Sequence, residues 1–434
     1  LKIYPILLTA VFSGSGALAQ QVDIDTAIEW ALTKNYDIKV ATFGREIEQN
    51  LAERGNAGYL PTVYLDANGN YLLENTDITF PSPDLQPISA EGAQTISLNA
   101  AAVVNYTVFN GGKRLYTFRT LQSQSEDGRL RERLAMESTS LTVATRFLDA
   151  LRLSDAMAIN SELVTLSNER LQRAKENYSY GNFTRLQLLN AEVDLRTDSV
   201  TLAEAQLEYA QAIRELNLAI GLPADTTFAL DSNFAFVAGL DKAQLLEAAK
   251  AKNSIYLRSR NDVYAAEQTL KASEADQMPV ISAVGGYRYN YNKFEASFLE
   301  QQETAGWNAG LNLRFYIFDG GRIQRNIQNA KLSVQMAEVE QARAENEIAK
   351  LINNAYDSYI TGIELFNLSR RNLDLAVSNF ERSREAFSTG QITGIELRDA
   401  QLNLARARYE ISVRRIRAKL AETVLLFEAG ALLE

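Results

Sequence analysis

Neither cysteine nor histidine occurs in the 434-residue chain. No thiolate nucleophile, Cys/His zinc site, histidine-based triad or disulfide can therefore be built from it. Carboxylates remain, 54 of them, enough for a carboxylate-only metal site or a two-carboxylate hydrolase, yet no spacing singles out a pair. Two glycine-rich turns, Asn110-Gly111-Gly112-Lys113 and Asp319-Gly320-Gly321-Arg322, lack the Lys-Ser/Thr that completes a phosphate-binding loop. The sequence predicts no enzyme and no cofactor. A formal charge of −10 disfavours sequence-independent binding to phosphate backbones, so no nucleic-acid partner is expected.

The chemistry these turns can do is conformational. Asn110 and Asp319 are good helix N-caps, and the glycine pairs Gly111–Gly112 and Gly320–Gly321 permit a sharp change from strand to helix. Pro61 and Pro279 suit the opposite junction, where an incoming helix must stop and a strand begin. These positions recur at fixed offsets. Asn35 and Asn253, and likewise Pro61 and Pro279, are 218 apart. The two Gly-Gly turns, the segments Tyr178-Ser-Tyr-Gly181 and Phe387-Ser-Thr-Gly390, and the pair Gly221 and Gly430 are all 209 apart. The chain is thus a tandem duplication. Its first copy carries a loop nine residues longer between Pro61 and Asn110, where Pro81-Ser-Pro83-Asp-Leu-Gln-Pro87 lies.

Each copy reads as helix, strand, strand, long helix, long helix. Strands are expected at about 62–73, 95–109, 280–292 and 304–318. In the first, Val63, Leu65, Ala67, Gly69 and Tyr71 alternate with Tyr64, Asp66, Asn68, Asn70 and Leu72; in the last, Trp307, Ala309, Leu311 and Leu313 alternate with Asn308, Asn312 and Arg314. Period-two alternation over ten or more residues marks a strand with two unlike faces. The lengths match the roughly 9–11 residues that a tilted strand needs to cross a bilayer, and apolar-out, polar-in patterning is that of a membrane barrel. Four strands leave open edges, which cannot face lipid with N–H and C=O groups unpaired. Several chains must then share one barrel; three would supply twelve strands, and the residues alone leave two, three or four open.

The remainder is helical and seamed. Leu188, Leu195, Leu202, Tyr209 and Leu216 recur every seven residues, with Ala191, Ala205, Ala212 and Ala219 three further on and Asp198 breaking the set. The second copy repeats this with Leu397, Leu404, Ile411, Ala418 and Leu425. Such a/d seams with small residues allow close helix approach. The proline-free stretch from Lys113 to Asn177 would run roughly 100 Å as one helix and return through the turn near Gly181 as an antiparallel hairpin. The organisation expected is a signal peptide over 1–19, whose apolar stretch ends in Ala17-Leu-Ala19; a first repeat over 20–221 turning at 178–183; a linker over 222–240; and a second repeat over 241–434 turning at 387–392. Paired coiled coils with amphipathic strands fit a passive conduit; a secreted or periplasmic structural coiled-coil protein without channel activity is the alternative.

The duplication, the Phe109-Asn-Gly-Gly-Lys-Arg and Phe318-Asp-Gly-Gly-Arg segments, the Tyr178-x-x-Gly181 and Phe387-x-x-Gly390 turns, and Ile395-Glu-Leu-Arg-Asp-Ala-Gln401 together resemble the outer-membrane efflux protein family of TolC-like channel-tunnels. The resemblance covers Val22 to Ala429. It implies a mixed α and β membrane protein located in the outer membrane: four transmembrane strands per chain in a shared, trimeric, twelve-stranded barrel, with a long periplasmic α-helical coiled-coil barrel beneath. It implies a homotrimer in contact with outer-membrane lipid, a periplasmic adaptor protein and an inner-membrane pump, in efflux or type I secretion. Tyr178, Gly181, Phe387 and Gly390 would contact the adaptor, and segments Leu222–Leu240 and Gln20–Asp25 would form an equatorial belt. By position in the family, Glu396 and Asp399 would be the periplasmic gate; Gln187 and Asn190 stand there in copy one. The family often has Tyr at the position of Phe387 and a basic residue at that of Ile392, and neither residue here can make their closing hydrogen bonds. Arg398 or Arg185 would have to substitute.

Overall fold

The computed structural model describes residues 21–433 apart from Pro83 and Leu85; the expected signal peptide lies outside the described residues. The order is β1 (Gln21–Val22), α1 (Ile24–Lys34), α2 (Tyr36–Leu51), β2 (Thr62–Ile78), β3 (Ile88–Phe109), α3 (Lys113–Ser179), α4 (Arg185–Ile220), β4 (Ala229–Leu230), α5 (Lys242–Lys252), α6 (Ser254–Glu274), a 3-10 turn (Ala275–Gln277), β5 (Val280–Phe294), β6 (Gln301–Arg314), α7 (Arg322–Ser388) and α8 (Gly394–Glu428). The first hairpin's strands run past both sequence boundaries into the loop. The last strand stops at Arg314, short of the expected 318.

In space the chain divides into two compact units that do not follow the repeats. One takes the described residues of Leu1–Thr42 with Arg131–Leu257 and Glu345–Glu434; the other takes Phe43–Leu130 and Arg258–Ala344. Each holds matching pieces of both copies.

The second unit contains an antiparallel sheet in the order β2-β3-β5-β6. Its register carries the alternation into two faces. Leu65 pairs with Ala102, Ala102 with Tyr287 and Tyr287 with Trp307, a wholly apolar rung. Asn68, Asn99, Asn290 and Thr304 form a polar rung on the other face, where Asn99 Nδ2 donates to Asn68 Oδ1 (2.8 Å) and Asn290 Nδ2 to Thr304 Oγ1 (3.2 Å). The apolar face is bare: Leu65 is 76% and Trp307 84% exposed. Below the sheet Lys113 Nζ reaches Asp276 (2.6 Å), tying the first Gly-Gly turn to the end of the second copy's incoming helix.

The first unit shows how the duplication closes its ends. Asn35 separates α1 from α2: its Oδ1 accepts from the N–H groups of Asp37 (2.8 Å) and Ile38 (3.2 Å), capping α2, while its Nδ2 donates to the Ala219 carbonyl (2.7 Å) in the last turn of α4. Asn253 repeats this between α5 and α6, accepting from Ile255 and Tyr256 and donating to Glu428 at the end of α8 (2.9 Å). Gly221 and Gly430 follow those helix ends at φ +89° and +69°. A Cβ there would lie 2.7 Å from the Lys34 carbonyl oxygen or the Asn253 nitrogen respectively, so close approach and backbone conformation both require glycine. Behind each junction sits an apolar core, with Ala27, Ala31, Phe147, Leu216 and Ile220 in one and Leu245, Ala249, Ile352 and Leu425 in the other. Burying each large side chain stabilises the unit by about 1.5–3 kcal/mol.

Asn253→Ala should strip a cap and orphan a carbonyl together, costing about 1–3 kcal/mol. Asn253→Asp, which keeps the cap and loses only the donor to Glu428, should fall between. Thermal unfolding of the detergent-solubilised protein checks the order; an alanine variant as stable as the parent would contradict this account of the junction.

Candidate functional site

Both hairpins turn by the same local chemistry. At the first, Gly181 takes φ +78° and the N–H groups of Asn182 and Phe183 close back on the Asn177 carbonyl (2.9 and 3.2 Å). Thr184 then caps α4 in a reciprocal box with Gln187: the Thr184 N–H donates to Gln187 Oε1 (2.7 Å) and the Gln187 N–H to Thr184 Oγ1 (3.3 Å). At the second, Gly390 takes φ +76°, and Thr393 and Glu396 form the matching box, with Glu396 Oε2 accepting from the Thr393 N–H (2.7 Å) and hydroxyl (2.9 Å). These bonds hold the Glu396 carboxyl below its ordinary range, the backbone contact first and the hydroxyl second. Of the two residues expected at the gate, one is thus committed to capping its own helix. Asp399 is exposed and makes no hydrogen bond or ion pair among the described residues.

The four expected turn residues differ in setting. Tyr178 is exposed. Phe387, with Ile392, packs against a core of Phe380, Leu397, Ala400 and Leu404. Both side chains thus serve the inside of the hairpin tip. Tyr180, not singled out from sequence, is the most outward aromatic here at 79% exposure.

The strongest polar feature lies one level above the turns and joins the two copies. Arg398 of α8 grips Asp198 of α4 with both nitrogens, at 2.8 and 2.6 Å. Ser167 of α3 donates to the same carboxylate and accepts from Arg398 (3.2 Å). Ser167 is fully buried, and Asp198 and Arg398 nearly so. Beside them Arg170 pairs with Asp194 and donates to Gln401 Oε1 (3.4 Å). Burial is the main influence lowering the Arg170 guanidinium from its ordinary value; the Asp194 carboxylate opposes it, and the Arg398 charge adds to it. Towards the far ends of the same helices, Glu162 pairs with Arg408, Arg152 donates to the Tyr409 hydroxyl (3.0 Å) and Ser412 to Asp155 (2.5 Å). Contacts between α3 and α8 therefore mix hydrogen bonds and ion pairs with apolar packing of Leu166 and Ile416, and the first hairpin's own seam, apolar at Leu171, Ala174 and Ala191, also carries the Ser167–Asp198 and Arg170–Asp194 contacts. A cavity of about 390 Å³ between the tips is lined by Arg173, Phe183, Gln187, Val193, Ile395 and Arg398, among others.

Asp198 left a trace in the sequence as the residue interrupting an alanine column. Its partner lies 200 positions away in the other copy, and no periodicity connects them. Among the described residues no cluster of three or more Asp or Glu side chains is placed to hold a metal ion, and no helix is long and apolar enough to cross a membrane.

The chain is thus a tandem duplication with a two-faced sheet, open at its edges, and two capped helical hairpins. The family model described as "Outer membrane efflux protein" matches residues 27–222 and 245–430, and the chain belongs to that family. It is 18% identical over 427 residues to the outer membrane protein TolC of Escherichia coli (strain K12), covering 95% of this chain and 83% of TolC. It is 20% identical over 438 residues to the proteases secretion protein PrtF of Dickeya chrysanthemi, covering 99% and 92%. The fold matches the Campylobacter jejuni CmeC outer membrane channel with a TM-score of 0.76 at 15% identity, over 94% of this chain and 86% of that one. The protein is an outer-membrane channel component of an efflux or secretion system.

The capping asymmetry predicts a pH response. Because the folded Glu396 pKa is depressed, its contribution is complete above about pH 4.3, the ordinary glutamate value, and is lost as pH falls through the lower folded value. Gln187 does not titrate. Amide protection corrected for intrinsic exchange should fall on acidification at 393–397 and hold at 184–188, and Glu396→Gln should abolish the difference. Equal loss at both tips would contradict it.

Proposed function

We propose that three copies of the chain form one channel. The four-stranded sheets join into a barrel in the outer membrane, and the helical hairpins form the tunnel on the periplasmic side. The carrying observation is the sheet: β2 and β6 are unpaired edges of 17 and 14 residues, on a sheet whose apolar face is bare. In lipid each unsatisfied backbone group costs several kcal/mol, so both edges need strands from other copies. The helices carry a matching demand. Leu186, Val193, Val200 and Leu207 stand exposed every seventh residue along α4, and Leu368 and Leu375 do so on α7, which are unfilled seams of the coiled-coil kind.

Opening would occur at the tips. The polar contacts that α8 makes with α3 and α4 exchange for water. Arg398, held by Asp198 and Ser167, is the latch in place of the contacts that Phe387 and Ile392 cannot make. Asp399, one from each of the three chains, supplies the free carboxylates near the axis; like charges brought together attract cations. Glu396 supports the same helix start from its cap. The tip turns around Tyr178, Gly181, Phe387 and Gly390, with outward Tyr180, are the surface offered to a periplasmic adaptor and through it to an inner-membrane pump. Nothing in this scheme breaks or makes a covalent bond.

Single-channel conductance in planar bilayers tests it. The parent should conduct weakly. Asp198→Ala and Arg398→Ala should each raise conductance markedly, because removing one partner of a buried pair costs about 3–5 kcal/mol. Asp399→Asn should weaken block by added multivalent cations without opening the channel. Latch variants that form intact oligomers yet conduct no better than the parent would contradict the latch; absence of conductance from every variant would contradict the channel.

A further inference from the structure

The duplication supplies an operation that carries one copy's contacts onto the other. Shifting Val63 by 218 and Val104 by 209 gives Ile281 and Leu313. Val63 pairs with Val104 in the first hairpin, and Ile281 with Leu313 in the second. The offsets read from the helix-flanking motifs therefore hold for strand register as well.

The same operation can be applied to the seam between the hairpins. Within the chain β3 pairs with β5, Asn105 opposite Val284 and Val103 opposite Gly286. Moving β3 forward by 209 gives β6, and moving β5 back by 218 gives β2. Those are the two unpaired edges, which meet only between copies. Asn105 and Val284 become Arg314 and Asp66, and Val103 and Gly286 become Asn312 and Asn68. The operation thus sets a cation opposite an anion.

Inside the chain neither charge is answered. Asp66 lies opposite Ala101, and Arg314 opposite Val280. Both are exposed on the polar face, and neither forms an ion pair among the described residues. Two further features mark the same missing neighbour. β3 continues to Phe109, whose counterpart is Phe318, but β6 ends at Arg314, leaving Ile317 and Phe318 93% and 85% exposed. A Cβ on Gly111 would lie 2.6 Å from the Met278 Cβ, whereas one on Gly320 would meet nothing within 4 Å. The second copy's junction thus leaves open the space that the first copy fills.

We propose that Arg314 of one copy and Asp66 of the next form an ion pair that fixes the register of β6 against β2, closing the barrel head to tail. The inference rests on the shared-barrel reading and goes further by naming the facing residues. A heterologous contact of this kind closes into a ring when its rotation does. Register needs such a device here, since a slip by one residue turns every side chain to the wrong face, and a slip by two keeps the faces and is opposed only by particular pairs. Opposite charges directly across an antiparallel pair favour the register that joins them, and like charges there oppose it.

The absence of cysteine makes the test clean. Asn68→Cys with Asn312→Cys should give disulfide-linked dimers and trimers under mild oxidation in the membrane, while Asn70→Cys with Asn312→Cys, displaced by two residues, should not. Asp66→Arg and Arg314→Asp should each lower the temperature at which the detergent-extracted oligomer dissociates, and the double swap should recover most of the loss. An oligomer that cross-links through the displaced pair, or through neither, or whose double swap recovers nothing, would overturn the register and leave the shared barrel standing. A monomer by native mass would overturn both.

Discussion

The unsatisfied backbone of two sheet edges governs the rest of this structure. Four long strands have an apolar face suited to lipid, but a sheet open at β2 and β6 cannot remain open there, because nothing in the hydrocarbon replaces water as a partner for N–H and C=O groups. The proposed barrel would complete that sheet with copies of the same chain, and the chain's other features fit that demand. The strands are long enough to cross, the polar face is laid out in amide rungs suited to a wet interior, and each Gly-Gly turn redirects the chain from strand to helix. Those helices carry exposed apolar residues at heptad spacing.

Duplication meets this demand with one solved geometry used twice. Asn35 and Asn253 each cap one helix while holding the end of another, and Gly221 and Gly430 let the backbones meet there. Where the copies differ, the difference has a physical use. The first tip is capped by an uncharged Gln187 and the second by Glu396, so acid acts on one and spares the other. Asp198 interrupts the first copy's seam to receive Arg398 from the second. The result is a buried ion pair that joins the two hairpins.

Much of this was legible from residue order. Alternation over ten or more residues located all four strands, and heptads with proline-free runs located the long hairpins. Constant offsets mark the repeats. Boundaries were less legible: nothing in the run from Phe315 to Phe318 says that the strand stops at Arg314. The gate pair was drawn from family position, and sequence position alone could not show that Glu396 spends its carboxylate on Thr393. Arg398 came into view only as a substitute donor, since its acceptor is encoded in the other repeat. The compact units, which mix pieces of both repeats, were hidden for the same reason: burial joins segments that sequence separates.

The native mass of the protein extracted from the outer-membrane fraction in mild detergent tests the central claim most directly. A single species of about three chains is the predicted result, since three four-stranded sheets close into one twelve-stranded barrel with every edge paired. A stable monomer, or a protein recovered free of the membrane fraction, would contradict it: the bare apolar face and open edges would then need another cover, and the channel would have no wall.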